Sequence, residues 1–323
     1  MSKPAPSIIP AAGPYAGRTC IVVNPAAGQE EVARLKRKLG GAFAVRSAPF
    51  DLFETQYAGH ATEIAREASQ LGYRCVCVAG GDGTLAEVAT ALAGTDTPLA
   101  IIPRGTANQV ARNLRIPIAF ERAIETAIYG VPTPIDLGHI NGRSFMLVAG
   151  AGFDASVMAS ATRGLKERFG FAAYIYAAVK ESLAATPAKF RVTADDRVID
   201  VSAVSVMIAN VGELFSAYLP VRLPLGPEPL SSWYDGLFDV VIIAPRNLPD
   251  WANVLWQAAT HQFGGSQQLI HLKAHSVKIE AEPNVPVQID GDVAGYTPMV
   301  ATSVRQGAWI MLPDRQMAAI PRN

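Results

Sequence analysis

Residues 78–92 read VAGGDGTLAEVATAL, an apolar strand that stops abruptly at Gly80, Gly81 and Gly83 around Asp82 before Thr84 opens a helical pattern. Glycine allows positive φ and leaves no Cβ in the way, so successive backbone N–H groups can approach phosphate oxygens at a helix N-terminus. Asp82 adds a hard oxygen ligand able to hold magnesium, directly or through water, beside those phosphates. The combination suits a nucleoside triphosphate. Taken alone, GGDGT also fits a tight turn with a helix cap, so its neighbours decide the reading.

Working outward, short apolar strands alternate with helical patterns from Thr19 to about Gly130, the sequence form of a parallel sheet covered on both faces. TCIVVN, FAVRSAP, RCVCVAG and PLAIIP read as strands. Between them EEVARLKRKLG, ATEIAREASQLG and TLAEVATALAG carry apolar residues at three-to-four spacing, with glycines that can end a helix. This half reads as a doubly wound α/β domain. After VPTPIDLG the texture changes to RSFMLVAG, VIDVSAVSVMIANV, LFDVVIIAP, SVKIEAE and VPVQIDG, interrupted by the helical stretches GFAAYIYAAVKESLAA and DWANVLWQAATHQ. A mostly antiparallel, β-rich second domain is expected. The expected division is a loose Pro/Ala/Gly-rich extension over 1–18, an α/β nucleotide-binding domain over 19–132 and a β-rich domain over 133–323, its last residues able to return to the first.

Ligands of open α/β sheets bind beyond the carboxyl ends of the strands. Three such ends carry unusual loops: VVNPAAG, where Asn24 and Pro25 leave the strand and Gly28 opens a helix; AGGDGT; and IPRGTAN, from Ile102 to Asn108. Three loops at three strand ends favour a ligand over a chance turn. Neither GxxxxGK[ST] nor GxGxxG occurs, which excludes the common P-loop and the dinucleotide fingerprint.

Bulk properties narrow the partners. The chain has 323 residues, 50% of them apolar and 17% charged, enough for two packed domains. Lysine plus arginine equals aspartate plus glutamate at 28 each, so net charge gives no pull toward nucleic acid. Cys20, Cys75 and Cys77 lie in apolar strands as small hydrophobes, which fits a reducing cytoplasm. No apolar run approaches the ~18 residues of a membrane helix. A cytoplasmic chain without a transmembrane segment, at most transiently membrane-associated, is expected.

The ordered series VNPAAG, GGDGTLAEV, PRGTANQVARNL, GAGFDASV, DGLFDV and IDGD runs from about Cys20 to the last strand. It resembles the diacylglycerol kinase catalytic-domain family, which includes bacterial lipid kinases and is similar to sphingosine kinases. The resemblance implies an α/β nucleotide domain, a C-terminal β-sandwich and ATP in the cleft between them. It further implies transfer of the γ-phosphoryl group of ATP, with Mg2+, to a hydroxyl of a diacylglycerol-like or sphingoid lipid met at a membrane surface.

Residue by residue, Thr55 in DLFETQYAGHA stands where the family has a threonine contacting ATP. Gly81, Asp82, Gly83, Thr84, Leu85, Ala86 and Glu87 match its nucleotide loop and following turn, and Thr106 another nucleotide contact. Asn24, Gly80, Gly105 and Asn108 join the same strand-end loops. Asp82 is the expected catalytic metal ligand. Asp235, with the backbone carbonyls of Ser232 and Leu237, resembles a structural magnesium site. Asp292, closing IDGD, stands at the position assigned as the proton acceptor. Arg104 and Lys166 are phosphate candidates, with Arg112 and Arg163 as further cations.

Departures bear on activity. Gln109 stands where many bacterial members have an aspartate that can join the magnesium network, and Asp292 is one methylene shorter than the family's glutamate. Two rival readings follow: an NAD kinase-like phosphotransferase, which shares GGDGT, and a catalytically silent ATP- or lipid-binding relative. His60 is read as positioning the turn before a helix, and Trp233, Trp251 and Trp256 as core. Exposed edges of the β-rich domain could support a homodimer.

Overall fold

The computed structural model of the chain describes residues 13–25, 29–105, 108–152, 187–210, 213–214, 223–224, 233–260 and 266–314. Two compact units emerge, Met1–Ile135 with Gln306–Asn323, and Asp136–Arg305.

The first unit contains, in chain order, β1 (Thr19–Val23), α1 (Gln29–Val45), β2 (Phe50–Glu54), α2 (His60–Gln70), β3 (Cys75–Gly80), α3 (Asp82–Leu92), β4 (Leu99–Pro103), α4 (Gln109–Asn113) and α5 (Phe120–Tyr129). β1 pairs with β2 on one side and β3 on the other, and β3 pairs with β4, all in parallel. β1, β3 and β4 are buried almost throughout because helices cover both faces, whereas the edge strand β2 is only partly buried. Ile21, Cys77 and Ile102 face Leu39 and Phe43 of α1 and Ile124 of α5 in one apolar cluster. α2 and α3 pack against each other and on β1 and β3, where the alternate residues Cys20, Val22, Val76 and Val78 are also buried. All three cysteines are free and buried, and burial pushes the Cys75 thiol up to about 12.

One expected strand is corrected. FAVRSAP is not a strand: α1 continues through Gly40 and Gly41 to Val45, and β2 begins at Phe50. Val32, Leu35, Leu39 and Phe43 recur at helical spacing and are buried. Burying each large apolar side chain is worth ~1.5–3 kcal/mol, which outweighs the ~1 kcal/mol that a helical glycine costs.

The second unit begins within β5 (Val131–Ile140) and continues with β6 (Arg143–Phe145), β7 (Val148–Gly152), β8 (Ala188–Ala194), β9 (Arg197–Ala203), β10 (Ser205–Ala209), the two-residue strands β11 (Glu213–Leu214) and β12 (Leu223–Pro224), β13 (Phe238–Ile243) and α6 (Leu248–Thr260). β14 (Leu269–Ala274), β15 (Ser276–Glu282), β16 (Pro286–Ile289), β17 (Asp292–Tyr296) and β18 (Met299–Leu312) complete it. One antiparallel sheet has the order β14-β13-β10-β7-β16-β17. β9, β8, β15 and the first half of β18 form a second antiparallel layer. Phe190, Val277 and Ile279 from this layer share one core with Val206, Ile208 and Phe238 from the other, which makes a β-sandwich. VIDVSAVSVMIANV supplies two strands, because the chain changes sheets at Val204 between β9 and β10. The second half of β18 belongs to the first unit, where Ile310 pairs with Leu99 of β4.

The helical stretch GFAAYIYAAVKESLAA lies outside the described residues. Trp233 is buried as expected, whereas Trp256 is 66% exposed: among the described side chains of α6, Val254 and Gln257 are the buried ones, and Trp256 faces outward.

Phe43→Ala should cost about 3 kcal/mol or more, because it empties a fully buried ring position in the α1 stripe. A urea unfolding midpoint close to wild type would contradict the burial of this part of α1.

Candidate functional site

The loops after β1, β3 and β4 lie side by side because these strands are neighbours. Asn24, just past β1, donates its Nδ2 hydrogen to Thr84 Oγ1 at 2.9 Å. Gly81 is the N-cap of α3, with an extended backbone and no capping side chain. Arg104 N–H, past β4, donates to Gly80 O at 2.9 Å. Gly81 and Gly105 approach so closely that a Cβ on Gly105 would sit 2.7 Å from the Gly81 Cα. No other residue type fits that approach unless the two loops move apart.

Asp82 is held between these loops. Its Oδ2 accepts from Gln109 N–H at 3.1 Å and its Oδ1 from Val110 N–H at 3.3 Å. Burial raises its carboxyl above the usual carboxylate range, and the two N–H bonds oppose that rise only in part. Asn108, which precedes α4 at φ +47, closes its own loop: Oδ1 accepts from Gly105 N–H at 2.9 Å and Nδ2 donates to Gly105 O at 2.7 Å. A fixed, desolvated carboxylate beside a side-chain-free backbone is the donor set that a magnesium-bound phosphate requires, so these residues fit the implied groups.

The other expected nucleotide residues are differently placed. Thr55 is buried beyond β2, and its N–H donates to Val23 O at 2.9 Å. Gly83 and Arg104 are exposed, and Leu85 is core. The Glu87 carboxylate accepts from Ala61 N–H at 3.2 Å, and its carbonyl accepts from Thr62 Oγ1 at 3.0 Å. Glu87 therefore caps the first turn of α2, a role that its place in the GGDGTLAE run does not reveal. His60 Nδ1 accepts from Gln56 N–H at 3.1 Å and the ring stacks on Tyr57, consistent with a turn-positioning role. Thr106, Arg163, Lys166 and Ser232 lie outside the described residues.

In the second unit, Asp235 meets an ammonium. Lys273 Nζ lies 2.7 Å from Asp235 Oδ2, and Leu237 N–H donates to Asp235 Oδ1 at 2.9 Å. The carboxylate charge is thus balanced by a side chain where the resemblance implies a structural ion. Asp292 opens β17 with its side chain 67% exposed and Arg143 at 3.8 Å. Sequence reasoning also missed the buried Asp136, whose Oδ2 accepts from Gly236 N–H at 2.6 Å, and the Asp239–His271 contact at 2.7 Å. Asp136 lies outside the motif series, and Asp239 falls within DGLFDV, where its partner His271 is remote in sequence. Among the described residues no cluster of three or more His, Cys, Asp or Glu side chains forms a metal site.

The raised Asp82 carboxyl has a signed consequence. Its contribution favours folding below the ordinary value of 3.8 and is lost as pH rises through the higher folded value. In the absence of metal and nucleotide, Asp82→Asn should therefore gain stability relative to wild type as pH increases from below 3.8 to neutrality. A pH-independent difference in urea unfolding would contradict the desolvation of this carboxylate.

Comparison with known proteins agrees with this architecture. The family described as the diacylglycerol kinase catalytic domain matches residues 18–140, and the YegS C-terminal NAD kinase beta sandwich-like domain matches residues 147–312. The chain is 29% identical over 306 residues to the diacylglycerol kinase of Bacillus subtilis strain 168, covering 93% of this chain and 97% of that protein. It is 32% identical over 273 residues to a Pseudomonas aeruginosa protein named "Probable lipid kinase YegS-like", covering 82% and 84% respectively. Two solved structures from Bacillus anthracis strain Sterne that carry diacylglycerol kinase names share the fold. Their TM-scores are 0.75 and 0.69 at 24% and 22% identity, each covering 93% of this chain and 98% of the other. The chain belongs to the family of diacylglycerol kinases and YegS-like lipid kinases.

Proposed function

We propose that this lipid kinase family member transfers the γ-phosphoryl group of ATP, with magnesium, to the hydroxyl of a diacylglycerol-like or sphingoid lipid. The observation that carries the reading is the desolvated Asp82 carboxylate, fixed by Gln109 and Val110 N–H beside the Gly81–Gly105 contact. Phosphoryl transfer asks the protein for charge neutralisation and in-line placement more than for covalent help. Magnesium would supply that neutralisation on the phosphate oxygens, with Asp82 as its protein ligand. Gly80, Gly81 and Gly105 offer backbone approach to the phosphates, Asn24 orients Thr84, and Asn108 holds the Gly105 loop.

On the acceptor side, Asp292 takes the hydroxyl proton as the lipid oxygen bonds to the γ-phosphorus and the bond to the ADP oxygen breaks. Gln109 gives Asp82 a backbone N–H, so the absent family aspartate leaves Asp82 as the carboxylate of this loop. No described helix is long and apolar enough to cross a membrane, and the lipid is expected to be met at the bilayer surface.

Radiolabelled ATP with magnesium and a total lipid extract in mixed micelles tests the reading, with NAD as an alternative acceptor. A labelled lipid is expected from wild type, with about 100-fold or greater loss in Asp82→Ala and Asp292→Asn. Label in NAD, or no label despite ATP binding, would contradict a lipid kinase. Gly105→Ala should separately weaken magnesium-ATP binding about tenfold or more in calorimetric titration, since its Cβ forces the two loops apart. Unchanged affinity would contradict phosphate binding at these loops.

A further inference from the structure

We propose that Asp290 is the positioning residue for the Asp292 carboxylate, an assignment that rests on the reading of Asp292 as the base. Ile289 pairs with Asp292 across the β16–β17 hairpin, so Asp290 and Gly291 form a two-residue loop. Their φ values of 48° and 91° are those of the tight turn favoured by Asp-Gly in hairpins.

What distinguishes this turn is where its first carboxylate goes. Asp290 Oδ2 accepts from Met146 N–H at 2.9 Å, and Oδ1 accepts from Leu147 N–H at 2.9 Å and Val148 N–H at 3.0 Å. Asp290 N–H donates back to Val148 O at 2.8 Å. The turn is thereby fastened to the start of β7, which continues beside β16 through Ala149–Ile289 and Gly150–Gln288. Gln288, buried, accepts from Gly291 N–H through Oε1 at 2.8 Å and fixes the far side of the turn.

Asp292 needs such a fastening. It sits on the edge strand β17, whose five residues are all exposed or partly exposed, so packing does little to place it. Its position is inherited from the turn two residues earlier. A base must sit within hydrogen-bond reach of the proton that it removes, and a misplacement of about 1 Å can cost about 100-fold in rate.

The test is a double-mutant cycle with Asp290→Asn and Asp292→Asn, assayed with magnesium-ATP on micelles containing diacylglycerol and sphingosine. The amide at position 290 keeps one acceptor oxygen but turns an NH2 group toward the remaining N–H donors. Asp290→Asn should lower kcat about tenfold or more with KM for ATP unchanged. In the Asp292→Asn background it should cost no further turnover, while lowering the melting temperature equally in both backgrounds. Gly291→Ala strains the same turn without touching the clamp, and it should show the same split should Asp290→Asn fail to fold.

A lower melting temperature with kcat within about twofold of wild type would overturn the proposal, as would an equal kcat loss in both backgrounds. Asp292→Asn inactive beside fully active Asp290→Asn would remove the positioning role alone. Wild type inactive on both acceptors, or Asp292→Asn as active as wild type, would overturn the reading of the base and this assignment with it.

Discussion

The partly buried Asp82 carboxylate, met by the Gln109 and Val110 N–H groups, is the interaction that ties the β3 loop to the β4 loop. Burial raises this carboxyl above its ordinary range, the two N–H bonds oppose that rise, and no ion pair reaches it among the described residues. The same two loops are joined by the close approach of Gly81 and Gly105, and Asn108 closes the β4 loop. Parallel strand order makes this possible: β1, β3 and β4 are adjacent, so their carboxyl-end loops must meet.

A similar economy of carboxylates runs through the second unit. Asp136 binds the Gly236 N–H, Asp195 binds the N–H groups of His275 and Ser276, and Asp290 binds three consecutive N–H groups at the start of β7. Each holds a turn that strand pairing alone would leave loose. Charge-assisted bonds to backbone N–H groups are about twice as strong as neutral ones, so aspartate is an effective fastener at sandwich corners. Asp292 and Asp290 illustrate the division of labour within IDGD: one carboxylate faces solvent and the other is committed to the backbone.

Much of this was legible in the sequence, for identifiable reasons. Strand-end glycines and three-to-four periodicity report local geometry, so the α/β unit and the GGDGT loop could be read directly, whereas strand texture gave a β-rich second domain and the family resemblance implied its sandwich. FAVRSAP misled because its alternation mimics a strand, while the deciding factor, the continuation of the stripe from Val32 to Phe43 into the core, is tertiary. Glu87, expected at the nucleotide, caps α2, and Asp235, expected at an ion, pairs with Lys273. In both cases the partner is remote in sequence, at Ala61 or Lys273, and no local motif announces it. The Asp290 clamp spans more than 140 residues, and only the Asp-Gly turn beneath it had a sequence signal.

The most direct measurement is amide hydrogen exchange of the wild-type chain with and without magnesium-ATP. The account predicts ligand-dependent protection concentrated at residues 80–84 and 104–110, the two loops joined through Asp82 and the Gly81–Gly105 contact. Binding that leaves both segments unchanged, or protects a different edge of the sheet, would contradict it.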